Sequence, residues 1–523
     1  MADDSKNHLP PPESRHQAPS DLLWTTNDFA VALKDVPTVP DDRFKRICES
    51  AVSRGARLSA LLVLPSKPAA TNGTSSILAV LADDTRGRIG LIGLAVPRSN
   101  SFESLSDVLP QAQAFEREIF ESHAIRPNGH PWLKPLRAHA ELAPAGNGGS
   151  SPVPKHPFFQ VAGEGIHEVA VGPVHAGIIE PGHFRFQCHG ETVLNLEIQL
   201  GYQHRGAEEL FLRSKPSRRL AIAESIAGDT VIGHALAYCR ALESLSGIEP
   251  PLHAQVLRGI VLELERLSNH VGDLGALCND VGYLPGASWM GRLRGEFLNL
   301  LMELSGSRFG RGFIIPGGVR FDLSATQKLT MLAHLAKADR DFNETAELIF
   351  DTPSIGSRFE YTGTVAFETA QELGLVGPIA RASGCSRDVR NDHPFDVYRF
   401  AHIPVATAES GDVMARALVR WLEAQRSITF VKEQIAELAE GQLAHESEPL
   451  KPNSLVVSMV EGWRGEIAHV ATSGPDGQLT SYKVIDPSFH NWPGLAIALR
   501  DEQISDFPLC NKSFNLSYAG HDL

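Results

Sequence analysis

"VLRGIVLELERLSNHVGDLGAL", residues 256–277, sets Leu257, Ile260, Val261, Leu264, Leu267, Val271 and Leu274 three and four positions apart. That period is one face of an α-helix, and the run is too long for a strand. A second run, "DVMARALVRWLEAQRSITFVKEQIAEL" (412–438), opens on Asp412, a residue suited to cap a helix start, and carries Met414, Leu418, Trp421, Ile428, Val431, Ile435 and Leu438 as a stripe. Stripes of this kind form cores far more often than cofactor boxes, so the two helices predict a helical body with its own interior.

Upstream of that body, "EVAVGPV" (168–174) and "HFRFQCHGETVLNLEIQLGY" (183–202) alternate as paired strands with a turn in "HGE". Before them lies "ELAPAGNGGSSPVPKHP" (141–157), whose Gly, Ser and Pro content marks a flexible connection. Ahead of the connection the pattern is mixed. "RFKRICESAVSRG" reads as a helix, while "RLSALLVLPS", "SSILAVLADD" and "GRIGLIGLAV" read as strands, the last two joined by a turn around Asp84, Thr85 and Gly87. The first twenty residues are polar and proline-rich and cannot bury enough surface to order themselves. The expectation is an α+β protein: a tail over 1–20, an α/β domain over 21–140, a linker over 141–164, and over 165–523 a mainly helical domain that begins with a small sheet.

The length of 523 residues supports more than one core. A formal charge of −14 excludes a phosphate-backbone binder, so no nucleic-acid partner is expected. The six cysteines are scattered without a CxxC pair, which argues against a locally written zinc or cluster site and for a reducing compartment. The reading gives neither a membrane span nor a signal peptide. No internal repeat is visible.

Longer motifs carry a resemblance. "GPVHAGIIEPGHFRF" (172–186), "GYQHRGAEELF" (201–211), "RASGCSRDVRNDHPFDVYRF" (381–400), "EGWRGEIAHVATSGPDG" (461–477) and "YKVIDPSFHNWPGL" (482–495) resemble the large subunit of energy-converting, membrane-bound nickel–iron hydrogenases and its relative, the D subunit of respiratory complex I. In the first domain, "FEREIFESHAI" (115–125) and "NGHPWLKPLR" (128–137) resemble the C subunit of complex I. The chain is thus similar to a fused C/D protein of the formate-hydrogenlyase type. The resemblance implies a peripheral-arm component of a membrane-associated oxidoreductase at the cytoplasmic face, partnered by a small iron–sulfur subunit and by integral membrane subunits.

The departures from the family are as informative. "ESIAGDTVIGHALAY" (224–238) matches a stretch in which hydrogenases carry two metal-binding thiolates, and "DFPLCNKSFNLSYAGHDL" (506–523) matches the stretch carrying the other two. The corresponding positions here are Ala227, Thr230, Ser517 and Gly520. A methyl group offers no lone pair and a neutral hydroxyl binds soft metals poorly, so no nickel–iron centre is expected. Cys510 lies out of register with the lost pair. The tyrosine that complex I sets against a quinone headgroup falls near Gly228, and the nearest tyrosine, Tyr238, lies too far along. "SGSRFGRGFIIPGG" (305–318) has Gly310 and Arg311 where complex I has a histidine beside its terminal cluster.

The candidate site residues are therefore polar. Glu208 matches a family carboxylate able to relay protons, with a helix-terminal or interface acid as the alternative. Asp229 sits inside the altered loop, where burying an unpaired charge would cost on the order of several kcal/mol, so either it has a partner such as Arg311 or a histidine or the loop is wet; the alternative role is a helix cap. His175 and His183 are candidates for lining a substrate cavity, or groups that satisfy backbone atoms. With His189 and Cys188 they also suggest a metal site, a weaker reading. The chain itself is expected to bind no cofactor. Iron–sulfur clusters would reside in the partner, and a quinone is a candidate acceptor. A redox subunit and a non-catalytic coupling or assembly scaffold both fit, while an active hydrogenase is disfavoured by the four absent cysteines.

Overall fold

The computed structural model describes residues 22–64, 75–96, 99–137, 157–175, 179–446 and 448–523. The expected tail and most of the expected linker lie outside the described residues.

Three apolar runs in the first domain form β1 (Arg57–Leu64), β2 (Ser76–Asp83) and β3 (Arg88–Ala95), an antiparallel meander. Leu23–Thr25 and Thr38–Val39 line the free edge of β3, which completes a five-stranded sheet. The β2–β3 turn needs glycine at Gly87, which has φ +59° and where a Cβ would lie 2.8 Å from the Asp392 carbonyl oxygen. Helix α1 (Asp41–Ser53) buries Phe44, Ile47, Cys48 and Ala51, and α2 (Gln113–His123) packs across β1.

The second domain opens with β4 (Ile166–Val171), β5 (His183–His189) and β6 (Thr192–Gln199), a three-stranded antiparallel sheet with β5 central. The helical body follows with α3 (Ala207–Arg213), α4 (Val231–Ser246), α5 (Leu252–Asp280), α6 (Leu284–Ser305), α7 (Ala325–Phe350) and α8 (Val413–Glu437). As its sequence suggests, α8 is capped by Asp412, whose Oδ1 accepts the Ala415 N–H at 2.8 Å.

The stripe expected on α5 is buried throughout, while that of α8 needs correction. Helix α5 is buried nearly all round, because it runs between α6 and α8, and its polar face is as deep as its apolar one. Arg258 donates to Glu243, Arg266 to Glu423, and Glu263 accepts from Arg390 and Tyr398, all inside the protein. In α8, Ile428, Val431 and Ile435 are buried as expected, but Met414, Leu418 and Trp421 are only half-buried. Trp421 stacks on Phe350 of α7, and Arg416, Arg420 and Glu423 take the interior face instead. Arg420 pairs with Asp273 and Glu423 with Arg266 and Arg381, while Arg416 donates to the Ser513 hydroxyl and the Gly363 and Gly411 carbonyls, and these partners let a polar face point inward.

The sequence reading also left out a sheet. β7 (Ser454–Gly462), β8 (Gly465–Ser473) and β9 (Leu479–Ile485) form an antiparallel set, followed by α9 (Pro487–Ala498), α10 (Phe507–Phe514) and the terminal α11 (Tyr518–Asp522). Val31–Ala32, from the first domain, adds a fourth strand at the start of β7. Buried ion pairs reinforce that join: Glu466 of β8 accepts from Arg57 and, at 2.6 Å, from Ser59, while Arg240 of α4 donates to Asp28 at 2.8 Å.

Candidate functional site

The altered loop at 224–230 leads into α4, whose first-turn N–H groups must find acceptors. Asp229 is not the cap. Glu265 of α5 serves instead, accepting from Ile232 at 2.7 Å and from Gly233 at 3.0 Å. Burial pushes the Glu265 carboxyl up to about 8, against the effect of those two bonds.

The partner of Asp229 is neither Arg311 nor a histidine but Arg464. Its guanidinium makes two parallel bonds to the carboxylate, 2.6 Å to Oδ1 and 2.8 Å to Oδ2. Burial raises the Asp229 carboxyl, and Arg464 outweighs burial, so the acid stays ionised below its usual range. Arg311 lies instead 3.4 Å from the Ser225 hydroxyl.

Arg464 is placed by local geometry. β7 ends at Gly462 and β8 starts at Gly465, so Trp463 and Arg464 form a two-residue hairpin turn. Arg464 lies over the Trp463 ring, 3.9 Å from its centroid, and Trp463 donates its indole N–H to the Asp229 carbonyl at 3.0 Å. The Arg464 Nε donates to the Asn515 carbonyl at 2.6 Å. One side chain therefore ties the 227–230 loop to the C-terminal segment.

None of the four positions carries a thiol. Ala227 has no donor atom. The Thr230 hydroxyl bonds Asp229 Oδ1 at 3.1 Å and accepts from Trp463 and Arg464 at 3.2 Å. Ser517 caps α11 by accepting the Gly520 N–H at 2.8 Å. A Cβ at Gly520 would lie 2.5–2.8 Å from the carboxylate atoms of Asp486, so an acid fills the space a cysteine would need. Cys510 is buried against Gly363 and Arg416, and burial pushes its thiol up to about 12, far from a thiolate. Among the described residues, no three His, Cys, Asp or Glu side chains gather as a metal ligand set.

The other candidates lie in two further places. Glu208, at the start of α3, accepts from the Val484 N–H at 2.9 Å and pairs with Lys483 Nζ at 2.9 Å. It lines a cavity of about 660 Å³ with His123, Tyr482 and Lys483. His175 and His183 sit together at the end of the β4–β5 pair, where His175 Nε2 lies 2.9 Å from the Gly182 carbonyl and His183 Nδ1 3.2 Å from that of Gly172. Cys188 is buried while His189 is exposed, so strand alternation separates the two. Arg464 and Asp486 were missed in the sequence, although both lie in the quoted motifs. The signal for Arg464 was the Gly-Trp-Arg-Gly hairpin.

Residues 280–454 match the family model described as respiratory-chain NADH dehydrogenase, 49 Kd subunit, and residues 38–147 match that of the 30 Kd subunit. Hydrogenase-4 component G of Escherichia coli (strain K12) is 30% identical over 441 residues, covering 81% of this chain and 76% of the relative. The chain belongs to this family of hydrogenase and NADH dehydrogenase subunits. Within it, formate hydrogenlyase subunit 5 of the same organism is 28% identical over 436 residues, 80% of this chain and 77% of the relative. The C/D subunit of NADH-quinone oxidoreductase from Phocaeicola vulgatus is 27% identical over 397 residues, 69% of this chain and 75% of the relative. Both family models in one chain agree with the fused C/D organisation read from the motifs. Among the described residues, no helix is long and apolar enough to cross a membrane.

Proposed function

We propose that this member of the family works as a peripheral-arm component of a membrane-associated oxidoreductase without a nickel–iron centre. It docks a small iron–sulfur subunit at the cytoplasmic face of integral membrane partners, and the region around its altered 227–230 loop serves a quinone-like or other non-hydrogen acceptor. The observation that carries this reading is the pair Asp229–Arg464, which fastens the 227–230 loop to Asn515 while Asp486 fills the space beside Gly520. A charged, fully hydrogen-bonded lock of this kind leaves no soft ligand for nickel. It also supports the second reading, a coupling scaffold that keeps the fold without its chemistry.

Purification of the native complex tests the proposal. Its iron is expected to be accounted for by clusters in partner subunits, with no stoichiometric nickel and no hydrogen-dependent dye reduction. About one nickel per chain together with hydrogen uptake would overturn it. Reduction of a short-chain quinone by the complex favours the redox subunit; a partner lacking clusters favours the scaffold.

A further inference from the structure

Asp486 has a second neighbour besides Gly520. Its Oδ2 lies 3.0 Å from His234 Nε2 of α4; His234 Nδ1 lies 3.1 Å from His469 Nε2 of β8; and His469 Nδ1 lies 2.7 Å from the Tyr482 hydroxyl of β9. All four side chains are buried, and the two histidines are fully so. Both ring nitrogens of both histidines are thus used within one unbranched row.

The row has a definite proton polarity. If His234 donates its Nε2–H to Asp486, its neutral ring accepts at Nδ1, so His469 must donate there from Nε2 and accept at Nδ1 from the Tyr482 hydroxyl. The opposite polarity is satisfied equally well. A protonated Asp486 donates to His234 Nε2, His234 Nδ1–H donates to His469 Nε2, and His469 Nδ1–H donates to the Tyr482 oxygen. No side chain needs to turn between the two states.

We propose that Tyr482, His469, His234 and Asp486 form a proton-transfer row that connects the 660 Å³ cavity, which Tyr482 lines, to the buried Asp486 carboxylate beside Gly520 and the Asp229–Arg464 pair. The proposal rests on the redox reading of the 227–230 region for its purpose, but not for its existence. As a proton reaches the Tyr482 oxygen from cavity water, the Tyr482 O–H bond breaks and an N–H forms at His469 Nδ1. The His469 Nε2–H passes to His234 Nδ1, and the His234 Nε2–H passes to Asp486 Oδ2. One proton enters, one arrives, Tyr482 remains protonated, and no electrons change hands.

The surroundings suit this role. Burial first, and His234 second, hold the His469 imidazole well below its usual range, so His469 does not trap a charge. At the far end of the row, the buried Asp486 is faced by Arg464, Asp229 and the Ser488 N–H. Tyr482, which lines the cavity, stacks on Phe211, and its buried hydroxyl is faced by Tyr238, Cys239 and Arg219 on the interior side. Glu208 and Lys483 share the cavity and can hand protons to its water.

The test uses the intact complex with the chain labelled at its histidine ring nitrogens, transferred to D₂O and followed by solid-state NMR. Ring N–H signals of His234 and His469 that couple across a shared hydrogen bond and exchange with solvent are expected. Tyr482→Phe keeps the ring stack and removes the relaying hydroxyl, and exchange at both histidines should slow at least tenfold, with neighbouring β8 amides unchanged. Equal exchange in Tyr482→Phe would overturn the proposal, as would the absence of coupling between the rings. His469→Asn, which interrupts the row at its centre, is a second variant and should slow exchange at His234 alike. Turnover with a short-chain quinone is measured in parallel. If turnover is absent while exchange follows the row, the redox reading fails and the row stands. If turnover proceeds and Tyr482→Phe changes neither exchange nor the solvent isotope effect, the row fails alone.

Discussion

The sheet of β1–β3 and the sheet of β7–β9 are both deeply buried, yet they are made of different material. The first is nearly all hydrocarbon: Leu61, Ile77, Ala79, Leu81, Leu91 and Ile92 are fully buried, and its charges sit at the strand ends. The second carries Ser458, Glu461, Glu466, His469 and Lys483 at comparable depth. Glu461 meets Arg381, Glu466 meets Arg57, His469 meets His234, and Lys483 meets Glu118. Each of those partners belongs to a different element, so the second sheet is where the helical body and the first domain are fixed to one another. A hydrophobic sheet can repack around a small loss, whereas a buried charge deprived of its partner has no water to turn to.

The largest expected effect breaks the comparison at its strongest point. Glu466→Ala leaves Arg57 facing a void and should destabilise the protein by about 3–5 kcal/mol, read from the urea dependence of tryptophan fluorescence. A loss under about 1 kcal/mol would mean that Asp84, the other partner of Arg57, suffices alone.

Glu265, beneath the helix that covers the second sheet, gives the comparison a pH axis. Its carboxyl is raised from the ordinary 4.5 to about 8, so the folded state holds a proton that the unfolded chain releases in that window. The group's contribution is therefore complete below about pH 4.5, shrinks as pH rises, and is lost above about pH 8. Glu265→Gln should flatten this part of the stability profile, with the variant gaining on the wild type by on the order of a few kcal/mol toward alkaline pH. Unfolding midpoints at mildly acid and mildly alkaline pH decide it; parallel profiles would refute the assignment.

Smaller effects follow at the hairpin and in the first sheet. Asp229 is about one-third exposed, so Asp229→Asn should cost only about 1–2 kcal/mol, yet shift the pH dependence of any turnover in the complex. A stability loss without a change in that profile would make the residue purely a fastener. Ile92→Val in β3 should cost about 0.5–1.5 kcal/mol at any pH, the measure of a core that closes over a missing methylene.

These two sheets also show what the sequence made legible. β1–β3 stand out as short apolar runs bounded by turn residues, and the helices by their period. β7–β9 are buried on both faces, so they lack alternation, while Glu461, Glu466 and His469 interrupt the apolar run that would otherwise betray a buried strand. The same cause hid the inward polar face of α8. At the site, Asp229 was conspicuous as an acid in an apolar stretch, but its partner lies 235 positions away in a turn. Charge pairing over such separations leaves no periodic trace. Asp486 was invisible for a related reason: its role depends on Gly520, whose missing side chain makes the room.

The strand at Val31–Ala32 bears on how the chain is made. Synthesis proceeds from the N-terminus, so this segment leaves the ribosome long before its partner, Ser454–Leu455, exists. Until then the first domain can close its own meander, but its stitch to the second must wait, leaving backbone N–H and C=O groups without their ladder. Fusion of the two domains keeps the waiting segment tethered near the place where β7 will emerge. Separating them by cleavage would turn an intramolecular closure into an encounter between two molecules and expose the rim of β7 to any passing strand.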